Sequence, residues 1–227
     1  MTPATVAVHT IGQSPRPDLT DALTRRFPAV QFITLGALDD VDPREIPSCA
    51  AHAYPLETRL RDGTRIVVDA HFVEPRLQAA IDSIDQRAAI HLLLCAGSFP
   101  GLASNHPLIA PFEHAVRHLK EKSTETLEVV VPFIQQAAPA RTKWEERGFT
   151  VRMHAVDEEP RGERPSGEPM VAWLGDRWRD TRAEAVVLDY VGFPTATLDA
   201  LRAVVGIPVF DLGQMALDEL ERRLNAR

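Results

Sequence analysis

The feature that most narrows what this chain can fold into is a regular alternation of short, largely apolar segments with longer amphipathic ones. Val6–Thr10, Val30–Leu35, His91–Cys95, Glu128–Val131, Thr150–His154, Ala185–Asp189 and Val209–Asp211 read as buried strands. Between them apolar residues recur at helical spacing, as in Leu19, Leu23 and Phe27, or Leu77, Ala80, Ile81 and Ile84. The same stripe returns in Phe112, Ala115, Val116 and Leu119, and in Leu217, Leu220 and Leu224 near the end. Strands separated by helices of this length form a mostly parallel sheet with helices on both faces. The expected fold class is therefore α/β.

Local chemistry adds detail. Arg61-Asp62-Gly63 between two β-prone runs predicts a hairpin, because Asp and Gly tolerate the positive φ of a tight turn. Residues 39–55 and 157–169 lack a period and read as loops. After about residue 120 the strand–helix pattern restarts, which divides the chain into a first lobe, 1–120 with 205–227 returning to it, and a second, 121–204. An internal echo supports two similar lobes. Val6–Gln13 lies over Val129–Gln136, and His91–Pro100 lies over Ala185–Pro194 with Cys95 opposite Asp189. Two pseudo-symmetric lobes would each present strand C-terminal ends, where ligands bind in open α/β sheets.

Charge and cysteine usage exclude several classes. The net charge is −7 and no Lys/Arg run stands out, so neither nucleic acid nor an anionic membrane is an expected partner. The longest apolar runs are too short to span a bilayer, and no leader pattern opens the chain, so a cytoplasmic protein is expected. Cys49 and Cys95 have neither disulfide-scaffold nor zinc spacing. His114 and His118 fall four apart on one helix, but a solvated helix face explains them better than a metal. The motifs for nucleotide, nicotinamide, zinc-protease and serine-hydrolase chemistry do not occur. No metal or cofactor is expected, a small-molecule carboxylate is the expected partner, and homo-oligomerisation is left open.

Five stretches in order, IGQSPRPDL, LETRLRDG, LLLCAGSFP, the VPF–Gln136–Trp144 stretch and LDYVGF, together resemble the AroM family over nearly the whole chain. That family is similar in turn to the Asp/Glu/hydantoin racemase superfamily. The resemblance implies two pseudo-symmetric lobes, each with a mostly parallel sheet flanked by helices. It further implies cofactor-independent acid–base chemistry, in many members by a thiol from each lobe. Here Cys95 matches the first thiol, while Tyr190 stands where a second cysteine is common.

Candidate site residues follow from position and type. A cysteine at a strand end is commonly a small buried hydrophobe. Cys95, however, precedes Ala-Gly-Ser, whose N–H groups can favour a thiolate, and the resemblance raises the functional reading. Tyr190 is either an amphipathic core tyrosine or a phenol serving as proton donor. With an ordinary phenol pKa of about 10 against about 8.5 for a thiol, it suits one-sided protonation better than symmetric racemisation. Gln13, Ser14 and Arg16 follow the first strand and could hold a carboxylate, Arg16 in bidentate fashion, or could form a capped turn. The resemblance makes Arg59 a further anchor. Ser98 and Gln136 are placed in loops at strand ends, where they could bind a carboxylate or amide, Asp189 would orient a neighbouring backbone group or Tyr190 or cap the next turn, and Gly192 would serve turn geometry. The expected function is a racemase- or isomerase-like enzyme at the α-carbon of a small carboxylate or amino acid. The alternatives are a decarboxylase or lyase using the same thiol, and a non-catalytic small-molecule-binding protein.

Overall fold

A computed structural model describes residues 4–50, 54–157, 168–178 and 180–226. Most of the expected 157–169 loop lies outside the described residues. The chain divides into two compact units, residues up to Pro111 with those from Ala216 on, and Phe112–Met215.

The first unit holds a four-stranded parallel sheet in the order β2-β1-β5-β6, built from β1 (Thr5–Thr10), β2 (Gln31–Gly36), β5 (Ile90–Leu93) and β6 (Leu108–Ile109). Between β2 and β5 an antiparallel hairpin of β3 (Pro55–Arg59) and β4 (Arg65–Asp69) is inserted. Its turn closes through Gly63 at φ +86°, as the Asp-Gly pair predicts. Helix α1 (Pro17–Arg26) joins β1 to β2, and α2 (Ala70–Ile84) follows the hairpin. The sequence places the start of α2 near Pro75. The helix begins a turn earlier because Asp69 caps it, its side chain accepting the His71 N–H. Val73 and Leu77 of α2 pack with Ile11, Leu38, Leu56, Leu93 and Cys95.

The second unit repeats the plan. Its parallel sheet runs β10-β9-β7-β8, with β7 (Thr126–Phe133), β8 (Thr150–Asp157), β9 (Ala185–Leu188) and β10 (Val209–Asp211). Helix α4 (Ala137–Glu145) joins β7 to β8, and α5 (Glu168–Trp178) and α6 (Thr195–Val204) flank β9. Met170, Leu174, Leu198 and Leu201 from α5 and α6 cover Val130, Val186 and Leu188. In both sheets the first strand is central, the second lies on one side, and the third and fourth on the other.

The registers agree strand by strand. Thr5 faces Gln31 as Thr126 faces Thr150, Val6 faces Ile90 as Leu127 faces Ala185, and His91 faces Leu108 as Val186 faces Val209. Just past the strands, Leu94 N–H donates to His9 O as Asp189 N–H does to Val130 O. These registers correct the sequence echo. Val6 corresponds to Leu127, not Val129, and Asp189 corresponds to Leu94, which makes Tyr190 the counterpart of Cys95. A gapless match of apolar letters slips because any buried strand offers Val and Leu at several offsets.

The lobe boundaries also differ from 120/121 and 204/205. Helix α3 (Pro111–Glu121) belongs to the second unit from Phe112 onward, where Phe112 meets Trp144 edge-on at 4.9 Å and Arg147 forks onto Glu113. Residues 205–215 belong there too, because β10 pairs with β9. Helix α7 (Leu212–Asn225) falls to the first unit from Ala216, where Asp218 and Glu221 bind Arg26.

Candidate active-site residues

At the C-terminal end of the first sheet, the chain leaves β1 through Gly12-Gln13-Ser14. The hairpin lies so close that a β-carbon on Gly12 would stand 2.3 Å from Thr58 Oγ1 and 2.4 Å from Arg59 O. Gln13 locks this contact. Its backbone N–H donates to Arg59 O, its amide nitrogen to Leu38 O and Val41 O, and its amide oxygen accepts the Arg61 N–H. The Gln13 amide is thus committed to the fold, contrary to the expectation that it donates to a substrate. Ser14 is similarly engaged, its N–H and hydroxyl both donating to Asp39. Asp39 also accepts the Gly36 N–H and lies 3.4 Å from the Arg61 guanidinium. Asp39 is not among the residues expected from the sequence, although an Asp just past a strand-ending Gly is a recognisable turn signal.

Arg16 and Arg59 meet the same carboxylate. Arg16 forks onto Asp18 at 2.8 and 2.7 Å and reaches Thr58 Oγ1, with its side chain only 11% exposed. That hydrogen bonding holds the Asp18 carboxyl below its ordinary pKa. Arg59 stands 4.0 Å from Asp18 and is 40% exposed. Two guanidiniums therefore gather round one carboxylate of the chain itself, that of Asp18.

Cys95 lies just past β5, 7% exposed, against the apolar cluster of Ile11, Leu56, Leu93 and Phe99. The Gly97 N–H donates to its sulfur at 3.3 Å. A donor at that position stabilises a thiolate over a thiol. Gly97 is required there, since a β-carbon would sit 2.9 Å from the Phe99 ring. Ser98 follows, half-buried. Three side chains of α2 and the residue after it stitch down the rest of the loop. Glu74 accepts from Gly101, Gln78 bonds both ways with Ala103, and Asp85 accepts from Ser104 and Asn105. Cys49, by contrast, has its thiol pKa pushed up by burial and by Asp69.

Beneath this loop the structure joins two histidines that look scattered in the sequence. Asp85 accepts from His91 Nε2 at 3.0 Å, and His91 Nδ1 lies 2.9 Å from His9 Nε2. Hydrogen bonds from Ser104 and Asn105 push the Asp85 carboxyl down to about 2, so it is an acceptor only. That fixes His91 as the Nε2–H tautomer and His9 as the donor to it. Burial lowers the pKa of both rings, His9 to about 3.

In the second unit, Asp189 neither orients Tyr190 nor caps the next turn. Its carboxylate binds Lys143 Nζ and Trp144 Nε1, both at 2.8 Å, with Lys143 4.3 Å above the Phe112 ring. A lysine in an amphipathic helix reads as solvent-facing, so no sequence signal marks Lys143. Tyr190 is half-buried against the cluster beneath α5 and α6, 5.4 Å from the Phe193 ring. Gly192 has φ +96°, the turn role expected of it. Gln136 is buried at the end of a 3-10 turn, Ile134–Gln136. Asp211, whose place before a helix gives it no sequence signal beyond that of a cap, ends β10. Two hollows of about 540 and 440 Å³ also open on this unit, one between α5 and α6 and one beside Glu128, Arg152 and Thr181. Neither is lined by a candidate residue.

The family described as AroM protein matches residues 6–220. Among curated proteins none matches the sequence significantly. Among solved structures, an arylmalonate decarboxylase double mutant in its liganded form is 14% identical with a TM-score of 0.60, over 96% of this chain and 92% of that one. Allantoin racemase from Klebsiella pneumoniae is 17% identical with a TM-score of 0.60, covering 98% and 88%. A glutamate racemase from Bacillus anthracis is 12% identical with a TM-score of 0.56, covering 100% and 83%. At these identities the likeness establishes the fold.

Proposed function

Because this chain belongs to the AroM protein family, with the fold of racemases and of a decarboxylase, we propose that it is a cofactor-independent enzyme acting at the α-carbon of a small carboxylate through Cys95. The observation that carries this reading is the Gly97 N–H directed at the Cys95 sulfur, at the strand end where α/β folds bind ligands. A thiolate so held is an effective base or nucleophile, and a thiol there an effective acid. Arg59, with Arg16 once its bond to Asp18 exchanges, would hold the substrate carboxylate. Gln13 and Ser14, bonded to Leu38, Val41, Arg61 and Asp39, would hold the strand end that carries Arg59 and not the substrate itself.

One observation favours a second reading within this class. By strand register Tyr190 holds in the second lobe the position that Cys95 holds in the first, so the group at the corresponding place is a phenol. A phenol donates a proton more readily than it removes one at neutral pH. Decarboxylation followed by a single protonation suits an enzyme with one thiol and a phenol at the corresponding place better than two-way racemisation does.

The test is solvent deuterium entry at Cα across a panel of α-amino acids and substituted malonates. Entry into both enantiomers without net loss indicates racemisation, and CO2 release indicates decarboxylation. Cys95→Ala should remove either signal, roughly 10²–10⁴-fold, with the circular dichroism spectrum unchanged. Undiminished turnover in that variant, or a thiol that iodoacetamide cannot label in the folded protein, would leave a binding protein as the better reading.

A further inference from the structure

We propose that Glu74 is a positioning residue for Cys95, fixing the turn that keeps the Gly97 N–H on the sulfur. The inference rests on the reading of Cys95 given above and adds to it a residue that acts only through another.

The donor to the sulfur belongs to a stretch with no regular structure of its own. Residues 94–107, between β5 and β6, form neither helix nor strand, so the aim of the Gly97 N–H depends on what ties this stretch down. Helix α2 and its C-cap do so from one side. Glu74, Gln78 and Asp85 follow one another at steps of four and seven, which stacks them on one helical face. In order along the loop they take Gly101, Ala103 and the Ser104-Asn105 pair. Glu74 grips closest in sequence to Cys95.

A continuous set of contacts leads from that grip to the sulfur. Glu74 Oε1 accepts the Gly101 N–H at 2.7 Å. Gly101 lies inside a turn closed by the Leu102 N–H, which donates to Phe99 O at 3.3 Å. The Phe99 ring packs in the apolar cluster of Cys95 and lies so near Gly97 that a β-carbon there would stand 2.9 Å from it. Gly97 in turn donates to the sulfur at 3.3 Å. A hydrogen bond weakens steeply as its angle bends, so a turn free to shift would lose part of that bond.

The sign of the charge separates this role from a direct one. A carboxylate disfavours a nearby thiolate by its own charge. Support from Glu74 must therefore travel through the N–H it holds. Without Glu74 the loop stays fastened from Ala103 onward by Gln78 and Asp85, so the fold survives while the segment beside Cys95 loosens.

The experiment uses the full chain with Cys49→Ser and 13Cβ-labelled cysteine, so that one signal reports the thiol–thiolate midpoint whether or not a reagent can reach Cys95. Glu74→Gln keeps an acceptor oxygen and Glu74→Ala does not, while both carry the same charge. The midpoint of the Ala variant should lie about half a unit or more above that of the Gln variant, roughly threefold less thiolate below the midpoint. Gln78→Ala removes both bonds to Ala103 and should leave the midpoint where it is in the parent protein. Equal midpoints in the two Glu74 variants, or no titration in either, overturn the proposal. A shift in Gln78→Ala as large as that in Glu74→Ala also overturns it, because the loop then responds as a whole. None of these measurements needs turnover. If Cys95→Ala keeps its activity, the catalytic reading of Cys95 fails, and the midpoints still decide whether Glu74 holds the N–H on the sulfur.

Discussion

The two lobes share a skeleton down to the strand register, yet they bury opposite kinds of polar group at corresponding places. The first places neutral rings inside: His9 and His91 stack at 5.2 Å, where the second has Val130 and Val186. The second places charges inside: Lys143 bonds Asp189 where the first has Leu94, and Glu128 bonds His154 and Thr181 where the first has Ala7. Backbone topology therefore does not dictate the polar content of this fold. The hydrophobic positions carry the register, and each lobe is free to specialise at the rest. Exchanging residues between corresponding positions measures what each specialisation is worth.

The largest effect should come from Asp189→Leu, which installs the first lobe's residue in the second. It leaves Lys143 buried without its counter-ion and Trp144 N–H without an acceptor. Breaking one side of a buried pair costs about 3–5 kcal/mol. The double variant Lys143→Met/Asp189→Leu should recover most of that loss, because an apolar replacement of the whole pair is nearly neutral. Urea denaturation of both would decide it. If the single and double variants are equally unstable, Asp189 acts through Trp144 and not through the ion pair.

The reverse graft, His9→Val/His91→Val, probes the neutral rings and depends on pH. Both rings are held neutral in the folded protein, while in the unfolded chain they take a proton below about 6.5. The unfolded state then binds more protons, so stability is full above that value and is lost as pH falls toward the folded pKa of His9, about 3. At a pH of about 4.5 His9 alone should cost the wild type roughly 3 kcal/mol relative to neutrality. The valine pair should lack that limb. Parallel stability–pH curves for the two proteins would show that the rings are protonated in place.

The contrast explains what can be read from the residues and what cannot. Strand and helix periodicity, the Asp-Gly hairpin and the restart after residue 120 are patterns local in sequence, and they lead to the two-lobed α/β fold. Cys95 and Tyr190 stand out because each ends a buried strand. The pairing of His9 with His91 spans 82 residues, and that of Lys143 with Asp189 spans 46. Neither residue of such a pair carries a local mark of its partner. Gln13 and Ser14 fall at the strand end as expected but serve the fold and not the ligand. A polar side chain in a loop does not reveal that backbone groups of Leu38, Val41 and Arg61 will claim it.

The smallest predicted effect tests the close backbone approach at the end of the first lobe's first strand. Counting on from the matched strands, Gly12 corresponds to Phe133, which is fully buried. In the first lobe the hairpin lies against Gly12. Gly12→Ala should cost about 1–3 kcal/mol by forcing β3 outward. Removing the hydroxyl with Thr58→Ala relieves only one of the two close contacts, because Arg59 O is backbone and cannot rotate away. The double variant should therefore regain part of the loss, and no more. Full recovery would mean that the hairpin yields easily, and then the Gln13 clamp, not the close backbone approach, is what fixes Arg59 at the strand end.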